Sequence, residues 1–254
     1  NVAVGTNALD ANTTASYNTA IGAEALTSNT EGASNVAVGR NALNSNTTAD
    51  NNTAIGALSL YTNTTGNRNT ALGGSALEKN TTANNNVAVG FETLEENTTG
   101  TNNVAVGAFA LDDNTTADNN TAIGYNALTA NTTGAYNVAV GALALDANTT
   151  ADYNVAVGYG ALGANTTGDL NVAMGTGALG SNTVGDRNVA VGHNALTSLN
   201  PASNTDTYNV AIGLNALSQC STGTHNVSVG GDCLNSTTTG SNNTAVGSAA
   251  LYAN

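Results

Sequence analysis

The chain of 254 residues has no Trp, two Phe, one Pro, one Met and two Cys. So few rings leave no material for the aromatic-filled core of an ordinary globular domain. Two cysteines in so long a chain define neither a disulfide framework nor a redox compartment. Basic residues are nearly absent: Arg40, Arg68, Lys79 and Arg187 stand against 17 acidic residues, and the formal charge is −13. Nucleic-acid binding requires clustered Lys and Arg against phosphate, so no nucleic-acid partner is expected, and an anionic membrane surface is disfavoured on the same ground. The acidity reads instead as solubility and mutual repulsion between molecules. No apolar run approaches the roughly twenty residues of a spanning helix, so no membrane insertion is expected. There is no initiating Met and no leader, and the chain is expected to be a mature form or a piece of something longer.

What the sequence does have is repetition. Residues 120–136 read NTAIGYNALTANTTGAY and residues 137–153 read NVAVGALALDANTTADY. Cutting before each Asn of N-[VT]-A-[VIL]-G, or its close variant, gives units starting at Asn1, Asn18, Asn35, Asn52, Asn69, Asn86, Asn103, Asn120, Asn137, Asn154, Asn171, Asn188, Asn209, Asn226 and Asn243. Complete units are 17 residues long, except the one opening at Asn188, which has 21. A fixed short period outranks any local motif in setting architecture.

The stretches between Gly and the Asn-Thr clusters are shorter than an ordinary helix. β-Branched residues bounded by Gly and polar turns predict short strands instead. A turn of this length has a contour of about 55 Å and can stack on the next at the usual strand spacing of about 4.8 Å. The prediction is an all-β, parallel β-solenoid of about fifteen rungs, a single repeat domain over residues 1–254. The first-position Asn (Asn86, Asn103, Asn120) is expected to form a ladder in which each side-chain amide bonds its neighbour. The fifth-position Gly (Gly90, Gly107, Gly124) is expected where a Cβ is strained or crowded. The ninth-position Leu (Leu94, Leu111, Leu128) is expected in the core. In N-V-A-V-G, Val104 and Val106 share one face and Ala105 the other, and both faces are apolar. One therefore fills the roll while the other meets a partner. The larger Val4-type residues are expected inside with the Leu row, and the Ala3-type row against another subunit; the reverse is the alternative.

The recurring N-[VT]-A-[VI]-G followed by A-L resembles the head repeats of trimeric autotransporter adhesins (YadA-like). It is also similar to repeats in bacteriophage tail and head fibres. That resemblance implies a left-handed β-roll, a homotrimer, and an extracellular role as a fibre on a virion or cell surface that contacts a host receptor or glycan. The adhesin heads have shorter units with Ser after the Asn, where this chain has Val or Thr, and their neck, stalk and anchor are absent. The longer unit favours the phage-fibre or filament side. The chain also lacks atypical end units, so end-to-end self-association into a filament is a second expectation. An ice-binding solenoid is a weaker third, because Thr132 and Thr133 are adjacent and cannot form a flat T-x-T rank.

Chemistry-bearing motifs are few. Gly158-Tyr159-Gly160-Ala161-Leu162-Gly163 spells G-x-G-x-x-G, but no helix follows it, so no nucleotide cofactor is expected. Glu78, Glu95 and Asp112 share the tenth position of consecutive units, while Lys79, Glu96 and Asp113 share the eleventh. Lys79 beside Glu96 suggests an exposed ion pair, and Glu95, Asp112 and Asp113 form the one weak candidate for Ca²⁺. Solvated surface charge is the plainer reading. His193 and His225 occupy separate positions of the unit, and no Ser or Thr is paired with His and carboxylate, so no enzyme is expected. Cys220 and Cys233, in neighbouring units, read as two small buried thiols, with a bridge between rungs as the alternative. Tyr136 and Tyr153 share the seventeenth position, and Tyr125 and Tyr159 the sixth; these suit surface contact or packing at a corner or subunit seam. The four extra residues fall within about 199–204 around Pro201, in a turn read as a solvent-facing excursion or ligand-contacting loop. Asn12, Asn46 and Asn131 begin glycosylation-type sequons.

Overall fold

The structure, a computed structural model, describes residues 1–253. It is a parallel β-solenoid, and no helix occurs among the described residues. Backbone contacts divide the chain into two compact units, Asn1–Ala122 and Ile123–Asn254. In the first, the strands Val2–Val4, Thr19–Ile21, Val36–Val38, Thr53–Ile55, Thr70–Leu72, Val87–Val89 and Val104–Val106 pair in parallel and in chain order. The register is an exact repeat offset: Ala88 faces Ala105, and Val87 faces Val104. In the second, Val138–Val140, Val155–Val157, Val172–Met174, Val189–Val191, Val210–Ile212, Val227–Val229 and Thr244–Val246 pair in the same way. Most turns have only three strand residues, because Gly ends each strand and a polar turn follows; Gly185–Asp186 and Thr205–Asp206 add a short second strand to two of them.

The remaining residues bond from rung to rung as well. Leu94 N–H donates to Ala110 O at 3.1 Å, Thr98 N–H to Thr115 O at 2.9 Å, and Gly90 N–H to Leu72 O at 2.9 Å. Peptide groups that would be orphaned in an isolated coil are thus satisfied along the stack. Gly90 has φ +146°, and a methyl group there would lie 2.6 Å from the carbonyl oxygen of Gly107. Glycine is required on both counts, as expected.

Which face is inside is the main correction. Ala20, Ala37, Ala54, Ala71, Ala88 and Ala105 are fully buried with Leu26, Leu43, Leu60, Leu77, Leu94 and Leu111, and the same holds in the second unit for Ala139, Ala156, Leu145 and Leu162. The Val4-type residues point outward. The interior of each coil is narrow: an Ala opposite a Leu fills it, and a second branched side chain would overpack it. The leucine assignment stands, whereas the valine and alanine rows exchange places.

Two ladders of buried Asn close the core. At the first position, Asn103 Oδ1 accepts the backbone N–H of Asn120 at 2.9 Å, and Asn103 Nδ2 donates to Ala117 O at 2.8 Å. This ladder bonds side chain to backbone, where side chain to side chain was expected; amide-to-amide contacts occur mainly at the irregular end, as from Asn226 to Asn209. The chain of amides is instead at the twelfth position, the Asn of Asn-Thr-Thr. Asn80 Nδ2 donates to Asn63 Oδ1 at 2.7 Å, and Asn97 Nδ2 to Asn80 Oδ1 at 3.1 Å. Asn46 and Asn131 are fully buried in this row, which closes those sequons to glycan attachment in the folded chain.

Three side chains per turn take left-handed backbone without being glycine: the seventh, ninth and seventeenth, as in Glu92 (φ 50°), Leu94 (φ 53°) and Asn102 (φ 59°). Such a residue costs roughly 1 kcal/mol or more unless held by its surroundings. Burial of Leu94 and its rung-to-rung bonding supply that hold.

Candidate functional site

No cavity is found among the described residues. The most extensive feature in each unit is the outer face of the parallel sheet. The second position, Val or Thr, and the fourth, Val, Ile, Leu or Met, form two rows there, largely apolar and half-buried by their neighbours. Ile55 is 37% and Leu72 45% exposed in the first unit, and Met174 is 43% and Ile212 39% exposed in the second. The rows carry a size rule. Thr at the second position accompanies Ile or Leu at the fourth (Thr19 with Ile21, Thr53 with Ile55, Thr70 with Leu72), while Val accompanies Val (Val36 with Val38, Val87 with Val89, Val104 with Val106). Val172–Met174, Val210–Ile212 and Thr244–Val246 depart from it.

A second surface lies at the corner formed by the sixteenth and seventeenth positions. Acceptor side chains at the sixteenth cap the backbone of the preceding rung: Asp50 Oδ1 accepts from Ala33 N–H at 2.7 Å, and Asp152 Oδ1 from Ala135 N–H at 2.6 Å. Beside them in the second unit stand Tyr136 and Tyr153, stacked with ring centroids 5.0 Å apart and planes within 3°. Tyr208 lies under the Arg187 guanidinium at 5.8 Å and 5.2 Å from the His225 ring. Arg187 Nε also donates to Asp206 at 2.7 Å, and Tyr208 O–H donates to the same carboxylate at 3.0 Å. That hydrogen-bonded guanidinium holds the Asp206 carboxyl below the usual carboxylate range. Tyr125 and Tyr159 are exposed at the sixth position, and Phe91 at the sixth meets Phe109 at the seventh position edge to face at 5.8 Å.

The inserted residues do less than a ligand loop would require. Pro201 is buried, with its ring over Gly185, and Leu199 fills the twelfth position in place of Asn. Thr205–Asp206 then pairs in parallel with Gly185–Asp186, and Thr207 Oγ1 donates to Asn188 Oδ1 at 2.7 Å. The insertion is therefore partly folded back onto the solenoid, not a wholly solvent-facing excursion. Cys220 and Cys233 are both free and buried, so there is no bridge. Cys220 takes the twelfth position, where its thiol donates to Gly223 O at 3.6 Å in place of an Asn amide; burial pushes its pKa up.

In the acidic patch, Lys79 bonds Glu96 as expected and lies 3.9 Å from Glu95. Asp112 is half-buried, and its Oδ1 has no hydrogen-bond partner. Desolvation first, and then the nearby Glu95 and Asp113 charges, push its pKa up to about 7. Burial likewise raises Glu95. No group of three or more His, Cys, Asp or Glu among the described residues is arranged to hold a metal ion, so Glu95, Asp112 and Asp113 do not converge as Ca²⁺ ligands. Comparison with protein-family models, curated proteins and solved structures finds no match to this chain.

Proposed function

We propose that the chain is a structural and adhesive fibre segment without enzymatic activity. In this reading it is a left-handed β-roll that assembles as a homotrimer and projects from a virion or cell surface into the extracellular space. The observation that carries the reading is the outer sheet face, where the fourth-position Ile, Leu and Met side chains of each unit stand 37–45% exposed. Parallel sheets are ordinarily covered on both faces, and a second and third copy of the same rows would supply the cover. The likeness of N-[VT]-A-[VI]-G to the repeats of trimeric adhesin heads and phage fibres supports that assembly. Function would then come from rigid spacing and from many weak contacts presented together, which raise avidity without a strong single site.

Mass in solution, measured by light scattering beside electron-microscope images, tests this. Three chains per particle and finite rods are expected. A monomer would overturn the trimer, and long unbranched fibres would favour end-to-end self-association.

A further inference from the structure

The seventeenth position of every rung takes left-handed backbone, which Asn tolerates better than other non-glycine residues. The first unit mostly follows this preference: Asn51, Asn85, Asn102 and Asn119 stand there, against Tyr17, Ser34 and Arg68. The second unit mostly does not. Before Asn242 its column runs Tyr136, Tyr153, Leu170, Arg187, Tyr208 and His225, all with φ between 50° and 60°. The Tyr and Leu side chains are also 42–53% exposed, so burial does not compensate for the backbone. Tyr136 and Tyr153 stack on each other, and Tyr208 packs against Arg187 and His225, yet the Tyr rings keep about half their surface open to a ligand.

Beside this column runs a row of carboxylates held in place. Asp152, Asp169 and Asp186 each accept a backbone N–H from the preceding rung, at 2.6, 2.8 and 2.7 Å. The Tyr136 and Tyr153 rings lie 5.0 Å apart, and the carboxylates beside them recur once per rung. We propose that this column is a binding ledge for a linear polysaccharide, neutral or amine-bearing, whose successive sugars lie against successive rungs. Sugar C–H faces would pack on Tyr and Leu, while sugar hydroxyls or amines would bond the carboxylates and phenols. The Asp row repels an anionic glycan or a nucleic acid. Peptide addition as a strand has no free edge to use, since Tyr153 N–H already bonds Ala135 O and Leu170 N–H bonds Asp152 O. An open ledge without a cavity suits an extended polymer held by many weak contacts.

The proposal rests on the attachment reading above and names its ligand class. The test is binding of the full chain to immobilised cellohexaose, chitohexaose and its N-deacetylated form, with a hyaluronan hexasaccharide and a basic peptide as counter-probes. The variant is Tyr136→Asn/Tyr153→Asn, which gives the column the residue that the first unit uses there and so keeps the fold. Retention of at least one neutral or amino hexasaccharide is expected, weakened at least about tenfold in the double variant and unchanged in Tyr159→Ser. Retention of none of the three, equal binding by the double variant, or binding of a counter-probe alone overturns the proposal. A trimer that retains no sugar sinks this inference and leaves the fibre reading intact; a monomer that retains it does the opposite.

Discussion

Asn63 donates its side-chain amide to Asn46 Oδ1 at 3.0 Å, and both side chains are fully buried. Each twelfth-position Asn is at once donor to one rung and acceptor from another, so removal of one leaves a buried amide oxygen without its donor and costs a second amide one of its two acceptors. Asn80→Ala strips Asn63 Oδ1 of its donor and leaves Asn97 Nδ2 with Gly100 O alone. We expect a loss of roughly 2–4 kcal/mol, read as a lower thermal midpoint, with amide exchange accelerated first in rungs next to the change.

Glycine substitutions should divide sharply by position. Gly90→Ala meets Gly107 O at 2.6 Å at φ +146°, so a cost on the order of 3 kcal/mol or more and a largely insoluble product are expected. Gly74→Ala meets nothing nearer than Phe91 at 3.4 Å and should be near neutral. Soluble yield and melting temperature of the two variants check the contrast.

Acidity should stabilise the first unit locally. The carboxyl of Asp112 rises from 3.8 to about 7 on folding, so the folded state holds its proton more tightly than the unfolded state. Its stabilising contribution is full below the unfolded value and is lost as pH climbs through about 7. Because the side chain is only half-buried, solvent screening leaves on the order of 1–2 kcal/mol. Denaturation at pH 4.5 and 8 should show that difference in the wild type and much less of it in Asp112→Asn.

The two thiols should be silent in the native state. Both are buried and free, and burial raises that of Cys220. A thiol reagent at neutral pH should label neither in buffer and both in denaturant. Rapid native labelling would contradict their placement in the core.

The outer face offers a sharper test of assembly than any core change. Val89→Lys/Val106→Lys alters two half-exposed side chains that no rung of the same chain needs for its interior. The rungs should remain folded by circular dichroism, while the particle mass falls to that of one chain.

How much of this was legible in the sequence depends on which chemistry a residue declares. Period, strand position, the Leu94-type core and the Gly90-type constraint were all readable, because a repeat in register makes every residue its own neighbour. The facing of Val and Ala was not: alternation separates the two sets but leaves open which is inside, and the interior width that decides it is a property of the closed coil. The Asn-Thr-Thr turn read as solvent-facing because Asn, Thr and Gly mark turns, yet a stack lets Asn80 satisfy its amide on Asn63 and so enter the core. Left-handed backbone at Leu94 left no trace, since leucine nowhere advertises it.

Register at a whole-unit offset has one further outcome. Excising residues 137–153 would bring together two coils of equal length whose Asn, Gly and Leu positions still coincide, although Tyr136 would then meet Leu170 in place of Tyr153. Length in such a molecule can therefore vary by whole coils through recombination while the bonding along the stack is inherited.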